Sequence, residues 1–599
     1  MPAKRHGREM EERRNEVKQR REEEDGVEDA REPALLSLSS SPSLPLCSPS
    51  LMLTDWYQLS MLFANWRLGK HNQHAVFETF FRKAPFQGEF AVMAGVKQLV
   101  DFISRMRFTD EHVNFFRTQF PHAPEEFFDY LRSVDCSDLS VHAIPEGTIV
   151  FPKVPLVRIE GPLSICQLIE TPVLNILNFA CLVATNAARY RLAAGWEKQL
   201  LEFGARRAQG PDGALSASRY SYLGGFDGSS NTQAAYLFGM PLRGTMAHSF
   251  ITSFSSMKQL KRHLPVPSPA SGSAQPDGGQ HDAVAAIPCR TGGDLIEQVA
   301  KYHQKVVELW SARSLDSMMH EGELAAFTAF AQTFPNAFLA LVDTYDTLYS
   351  GVPNALAVSA ALVACGYEPK GIRLDSGDLA YLSKEVRRMF REAAEAFGMP
   401  SLAHMAIAAS NDLNEVIISA LRDQGHEIDT FAVGTNLVTC QAQPALGMVY
   451  KLVELEGEPV MKVSQVFEKA SLPSKKEVYR LFTKDGSPAV DLMQEAKDAA
   501  PAAGQRIFCR HLYDDRKRCF LVPTKVQRLL QQYISKGEQV SEPLTLEEAR
   551  QHCMSGLRSL RKDLTRLVNP TPYKVSASEE YFTCFHRMWQ DTAPVRTYE

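Results

Sequence analysis

The chain has 599 residues, of which 44% are hydrophobic, 23% charged and 9% aromatic, an ordinary globular composition with enough apolar material for a sizeable core. Sixty-five Lys and Arg against 70 Asp and Glu leave a net charge of -5, so neither nucleic acid nor an anionic membrane is an expected partner. Wholesale disorder, collagen-like repeats and a disulfide scaffold are excluded on composition.

Residues 1–50 read as a solvated, disordered tail. Charge blocks such as Glu22-Glu23-Glu24-Asp25 carry no apolar stripe, and Ser37 to Ser50 is rich in Ser and Pro, which cannot offset its ordering entropy. A signal peptide needs an apolar core and a transit peptide avoids acids, so the cytosol is the expected compartment. No run of 18 apolar residues occurs, and no membrane span is expected. Strands are predicted at Val76–Arg82 and Leu156–Glu160, then a long helical region from Ser164 to Gly204. Residues 262–293, with Pro265, Pro267, Pro269, Pro276 and Pro288 among Gly, Ser and Ala, read as a disordered surface insertion. Helices are predicted at Leu295–Trp310 and Gly322–Gln332.

An alternation follows: apolar Ala337–Asp343, helical Pro353–Cys365, apolar Lys370–Asp375, helical Leu379–Phe397, apolar Ala406–Ser410, helical Leu413–Asp423, apolar Thr430–Gly434. Continuous apolar runs between helices predict parallel βα units with strands buried on both faces, in a barrel or an open sheet. After Ala442 the runs Val449–Leu455, Val460–Val463 and Val478–Leu481 predict antiparallel strands of a second domain, with a boundary near Gln441. Eleven cysteines are dispersed without a CxxC pair or zinc-finger spacing, which fits reduced thiols better than a disulfide framework or a zinc site.

The four apolar runs end in Asp343-Thr344-Tyr345-Asp346, Asp375-Ser376-Gly377-Asp378, Ser410-Asn411-Asp412 and Gly434-Thr435-Asn436. Carboxyl ends of parallel strands line active sites, so the four predict one shared polar site. Helix capping accounts for any one of them but poorly for all four. Two carboxylates around Gly377 suit a Mg²⁺–diphosphate or ribose hydroxyls. Arg373 lies two positions before Asp375 on the same strand face, where it can accept a substrate carboxylate or simply pair with an aspartate. Gly434-Thr435 offers N–H groups and a hydroxyl to a phosphate. Neither a Walker A loop nor a GxGxxG fingerprint occurs, which disfavours P-loop and Rossmann chemistry. Upstream, Phe203-Gly204-Ala205-Arg206-Arg207 and Gly244-Thr245-Met246-Ala247-His248-Ser249 concentrate cations, glycines and a histidine between hydroxyl residues.

Taken in order, these segments resemble the nicotinate phosphoribosyltransferase family from about Leu53 onward. The resemblance is carried by Leu53-Thr54-Asp55-Trp56-Tyr57-Gln58, Ala184-Thr185-Asn186-Ala187-Ala188-Arg189 and Arg206-Arg207-Ala208-Gln209-Gly210-Pro211-Asp212-Gly213. Gly244 to Ser249, Arg373 to Asp378 and Val433-Gly434-Thr435 complete it. It implies an irregular parallel α/β barrel with a second α+β domain built from both chain ends: 51–185 and 442–599 around a barrel at 186–441. It implies ATP-coupled synthesis of nicotinate mononucleotide and diphosphate from nicotinate and 5-phosphoribosyl 1-diphosphate, the first step of NAD synthesis from nicotinate. By resemblance, Tyr57, Phe203, Thr245 and Arg373 would hold nicotinate. Arg206, Asp343, Asp375, Ser376, Gly377, Gly434 and Thr435 would hold the phosphoribosyl diphosphate with its Mg²⁺ (or Mn²⁺), Asp343 and Asp375 standing nearest the metal. His248 would become a phosphohistidine, and a homodimer with shared active sites is implied. A nicotinamide-specific relative and a catalytically dead scaffold are the alternatives; the Arg206 to Gly213 and Gly244 to Ser249 segments favour nicotinate.

Overall fold

The computed structural model describes residues 49–260, 294–311, 317–464 and 470–592. The expected tail falls, but for its last two residues, outside the described residues, as does the expected insertion at 262–293. The first described helix, α1 (Trp56–Arg67), opens on an Asp55–Gln58 capping box. Strands β1 (His74–Phe81) and β3 (Val157–Pro162) follow at the predicted places, and between them lies β2 (Ser140–Ala143), which is not predicted. The predicted Ser164–Gly204 helix is corrected to three pieces: Leu163–Leu168, α2 (Glu170–Ala194) and the strand β4 (Gln199–Glu202). Gly195 stops the helix at φ +86, a conformation that favours glycine, and the Leu-rich run beyond it is a buried strand.

Next come β5 (Gly228–Ser229), α3 (Glu321–Thr333), β6 (Leu339–Leu341), α4 (Val352–Ala364), β7 (Gly371–Leu374), α5 (Leu379–Phe397), β8 (Ala406–Ala409), α6 (Glu415–Asp423) and β9 (Thr430–Val433). The strands form one all-parallel sheet in the order β5-β4-β9-β8-β7-β6. Among the described residues no pairing joins β6 back to β5, so the sheet described is a six-stranded arc. Its inward residues Ile372, Leu374, Ile407, Phe431 and Val433 have no exposed surface and share a core with α3, α4 and α5. The α2 helix and the run Thr347–Ala364 are long and apolar enough to cross a membrane, but 72% of the most apolar 18-residue stretch of each is buried inside the protein; their apolarity serves the core.

The chain then returns to its beginning. Strand β10 (Met448–Leu455) pairs with β1 in a seven-stranded sheet that also contains β3, β2 and β16 (Gln531–Ser535). A third, mixed sheet holds β11 (Lys476–Phe482), β12 (Pro488–Glu495), β13 (Ile507–Arg510), β14 (Arg518–Leu521), β15 (Lys525–Arg528) and β17 (Lys574–Ala577). The predicted strand Val460–Val463 does not form; β10 turns at Gly457 (φ +81) onto Glu458–Pro459 instead, and the chain leaves the sheet after Pro459. Ion pairs tie the two chain ends together. Lys476 Nζ lies 2.9 Å from Glu78, with 0% and 1% of the side chains exposed, and Arg158 reaches Glu477 at 3.1 Å.

Candidate functional site

Register converts four strand ends into one site. Parallel pairing sets Leu341 beside Arg373 and Arg373 beside Ala408, so Asp343, Asp375 and Ser410 emerge at one level. On the other side Glu202 pairs with Val433 and Phe203 N–H donates to Val433 O at 2.8 Å, which brings Phe203 against Gly434. Gly204 permits that approach, since a Cβ there would stand 2.5 Å from Val438 and 2.9 Å from Gly434 O.

A cavity of about 820 Å³ opens over these ends, lined by Phe203, Arg206, Thr245, His248, Arg373, Asp375, Gly434 and Thr435. Eight of the expected site residues thus share one cavity. The Arg373 guanidinium is held on three sides: Nε donates to Ser410 Oγ (2.8 Å), Nη1 to Thr245 Oγ1 (3.1 Å) and Nη2 to Asp375 Oδ2 (3.0 Å). It lies 5.5 Å from the centre of the Phe203 ring. Arg373 does pair with an aspartate; one N–H on each terminal nitrogen stays free of these bonds for a further acceptor. The buried Ser410 hydroxyl donates to Asp375 Oδ1 and so closes an Arg–Ser–Asp ring.

His248 Nδ1 contacts Thr344 Oγ1 at 3.0 Å, while Nε2 stands 3.9 Å from Asp343 and 3.8 Å from Asp375, with 45% of the side chain exposed. Ser376 stands at the rim and donates to Asp343 Oδ2 at 2.6 Å. Gly377 has φ +81, the left-handed turn that redirects the chain into α5. Asp343 Oδ1 is buried without a hydrogen-bond partner, a position that suits a cation arriving on a substrate. Among the described residues no group of three or more metal-ligating side chains is gathered, so the protein offers one or two carboxylates rather than a cage.

Tyr57 is not brought in. It is 47% exposed on α1 and donates to Glu170 at 3.2 Å. Capping accounts for part of the strand-end polarity: Asp378 accepts from Tyr381 N–H and Asp346 from Leu348 and Tyr349 N–H. Asp343, Asp375 and Ser410 cap nothing.

Three further groups shape the site. Glu202, wholly buried, accepts from Ser218 (2.8 Å), Ser229 (2.5 Å) and Gly204 N–H, which anchors the Phe203 turn. Arg243 lines the same cavity as Arg206 and Arg207, and neither Arg206 nor Arg207 has an ion pair with a described residue. Glu323 on α3 accepts from Ser350 (2.6 Å) and Asn354 (3.1 Å). Burial, then the charges of Asp343 and Asp346, pushes its carboxyl up to about 7. A larger cleft of about 1150 Å³ opens at β11 and β12. There Arg158, Arg528, Lys475 and Lys497 are already bound to Glu477, Glu160 and Glu495.

The chain is also similar to known proteins over most of its length. The model of the nicotinate phosphoribosyltransferase N-terminal domain matches residues 52–178 and that of the C-terminal domain matches residues 475–585. The chain is 47% identical over 558 residues to nicotinate phosphoribosyltransferase 2 of Arabidopsis thaliana, covering 92% of this chain and 96% of the relative. It is 43% identical over 532 residues to the Homo sapiens nicotinate phosphoribosyltransferase, covering 88% and 94%. The crystal structure of human nicotinic acid phosphoribosyltransferase superposes with a TM-score of 0.76 at 39% identity, over 90% of this chain and 100% of that one. The chain belongs to the nicotinate phosphoribosyltransferase family.

Proposed function

We propose that the chain joins nicotinate to 5-phosphoribosyl 1-diphosphate, giving nicotinate mononucleotide and diphosphate, and that ATP hydrolysis is coupled to this step through His248. The observation that carries the reading is Arg373, fixed by Thr245, Ser410 and Asp375 beside the Phe203 ring, in one cavity with the unpaired Arg206 and Arg207. A planar aromatic acid fits that pairing of ring and guanidinium. The pyridine nitrogen attacks the ribose C1 as diphosphate departs, with oxocarbenium character between, so the protein acts by positioning and by charge. Arg206 and the Gly434-Thr435 turn take phosphate oxygens; Asp375, Ser376, Gly377 and Asp343 take the ribose and the metal-bound diphosphate. Asp343 and Asp375 are the residues that would hold a Mg²⁺ or Mn²⁺ arriving on the diphosphate, where it would neutralise phosphate charge.

His248 Nδ1 lies against the Thr344 hydroxyl; in the tautomer that carries its proton on Nδ1, the Nε2 lone pair is the one that attacks the γ-phosphate of ATP, with ADP leaving. The parallel bridge from Ser229 to Leu242 prolongs the arc beyond β5 and supports reading it as part of an irregular barrel. Tyr57, exposed and outside its own cavity, is read as completing the nicotinate sandwich of a partner subunit in a homodimer.

The test is turnover of the purified protein with nicotinate, phosphoribosyl diphosphate and Mg²⁺, with and without labelled ATP. Product in both cases, more with ATP, and an acid-labile, base-stable phosphate lost in His248→Ala are expected. A label that persists in that variant overturns the role of His248.

A further inference from the structure

Outside this cavity's lining, strand register sets two thiols opposite each other. In the antiparallel hairpin of β13 and β14, Phe508 pairs with Phe520, Cys509 with Cys519 and Arg510 with Arg518. Directly opposed residues of such a pair have Cα atoms about 4.5 or 5.5 Å apart, and a disulfide accommodates about 4.4–6.8 Å. Both side chains join the apolar cluster of Tyr479, Leu481, Val490 and Leu492. Being directly paired across the hairpin, the two side chains stand on one face of the sheet, and both are free thiols. Cys509 is 1% exposed, while Cys519 is partly exposed on β14, the edge strand of its sheet. Nothing in the proposed transfer reaction uses either residue.

We propose that Cys509 and Cys519 form a dithiol site that reacts with a small-molecule disulfide, with Cys519 as the entry thiol. The Cys519 thiolate attacks one sulfur of the reagent, forming a mixed disulfide and expelling one thiolate, which takes up a proton. Cys509 then loses its proton to solvent and attacks Cys519 Sγ, closing the protein disulfide and expelling the second thiol. The protein pair gives up two electrons and two protons, and the reagent leaves as two thiols. Burial pushes the Cys509 thiol up to about 12, so the first attack falls to the more exposed partner. The bridge ties an edge strand, whose outer backbone groups are unpaired, to its neighbour.

The experiment treats the whole protein with oxidised glutathione, quenches with acid, alkylates free thiols and maps peptides without reduction. The wild type is expected to yield a Cys509–Cys519 bridge carrying no glutathione, at a reagent concentration that leaves the partly exposed Cys136 and Cys584 alkylated. Cys509→Ser should stop at glutathione on Cys519, and Cys519→Ser should leave Cys509 reduced, a near-complete loss of the bridge in each. Should Cys509→Ser fold poorly, Cys509→Ala keeps the site apolar and traps the same adduct. Glutathione retained on Cys519 of the wild type beside an alkylated Cys509 overturns the proposal. So does reaction at Cys136 or Cys584 while both hairpin thiols stay reduced.

Discussion

The parallel arc and the two sheets built from the chain ends handle polar residues in opposite ways. In the arc, polar groups sit at the ends of four buried strands, supplied by adjacent sequence, and face a cavity. In the other sheets charged groups sit inside, and the pairs that join the two chain ends span hundreds of residues, as Glu78 finds Lys476 and Arg158 finds Glu477. Burial pushes the Glu78 carboxyl up and the Lys476 ammonium down, each toward neutrality, against their mutual attraction. Those pairs are costly to bury and costly to break; they fix which chain ends meet. The strand-end charges are left partly unsatisfied, which is what a binding site needs.

Breaking one element of each region separates the two roles. Lys476→Met strands Glu78 and removes the donor to three backbone carbonyls. It should cost about 3–5 kcal/mol of stability, read by chemical denaturation, with little change in the KM for nicotinate. Arg373→Ala should do the reverse: kcat/KM for nicotinate falls by about 2–5 kcal/mol of transition-state binding, while the melting temperature moves little. Unchanged saturation by nicotinate would remove Arg373 from the site.

Glu323 lies behind the strand ends and tests whether the arc, too, holds a buried charge. Its carboxyl keeps a proton up to about pH 7 in the folded chain, where an unfolded carboxylate has already lost it, so stability falls as pH rises between about 4.5 and 7. Glu323→Gln should flatten that slope by up to about 3 kcal/mol, seen in denaturation curves across the window. Unaltered slopes would mean that Glu323 is ionised throughout. The smallest expected effect is at Asp378, a cap rather than a ligand. Asp378→Ala should cost about 1 kcal/mol of stability and leave turnover nearly intact, in contrast to Asp375→Ala beside it.

Local signals made the arc legible. Each βα unit announces itself within about 30 residues through an apolar run, a polar end and a helix, and the polar ends supply one wall of the cavity, the segments at 203–207 and 242–248 another. What a single strand cannot show is register. Ser410 joins Arg373 to Asp375 only because β8 lies beside β7, and Glu323 looks like an ordinary first-turn acid of α3 until Asp343 is placed near it. Glu202 had a signal, an acid ending a short Leu-rich run before Phe203-Gly204, but the run was absorbed into the predicted helix because Leu serves both periodicities. Of the chain-end sheets only a few strands are legible, those near Val76, Leu156, Val449 and Val478, and none of their partners; strands such as Pro488–Glu495 and Ile507–Arg510 carry no comparable apolar run. Nothing near Val76 indicates that Met448–Leu455 returns to pair with it, and Tyr57 reads as a capped helix start wherever its ring is used.

The most direct test of the central claim is product analysis on the purified chain supplied with phosphoribosyl diphosphate and Mg²⁺, with nicotinate and nicotinamide in parallel reactions. The account predicts nicotinate mononucleotide and diphosphate in equal amounts from nicotinate, with little product from nicotinamide, which lacks the carboxylate that Arg373 is placed to bind. Equal or preferred use of nicotinamide, or no mononucleotide from either, would contradict it.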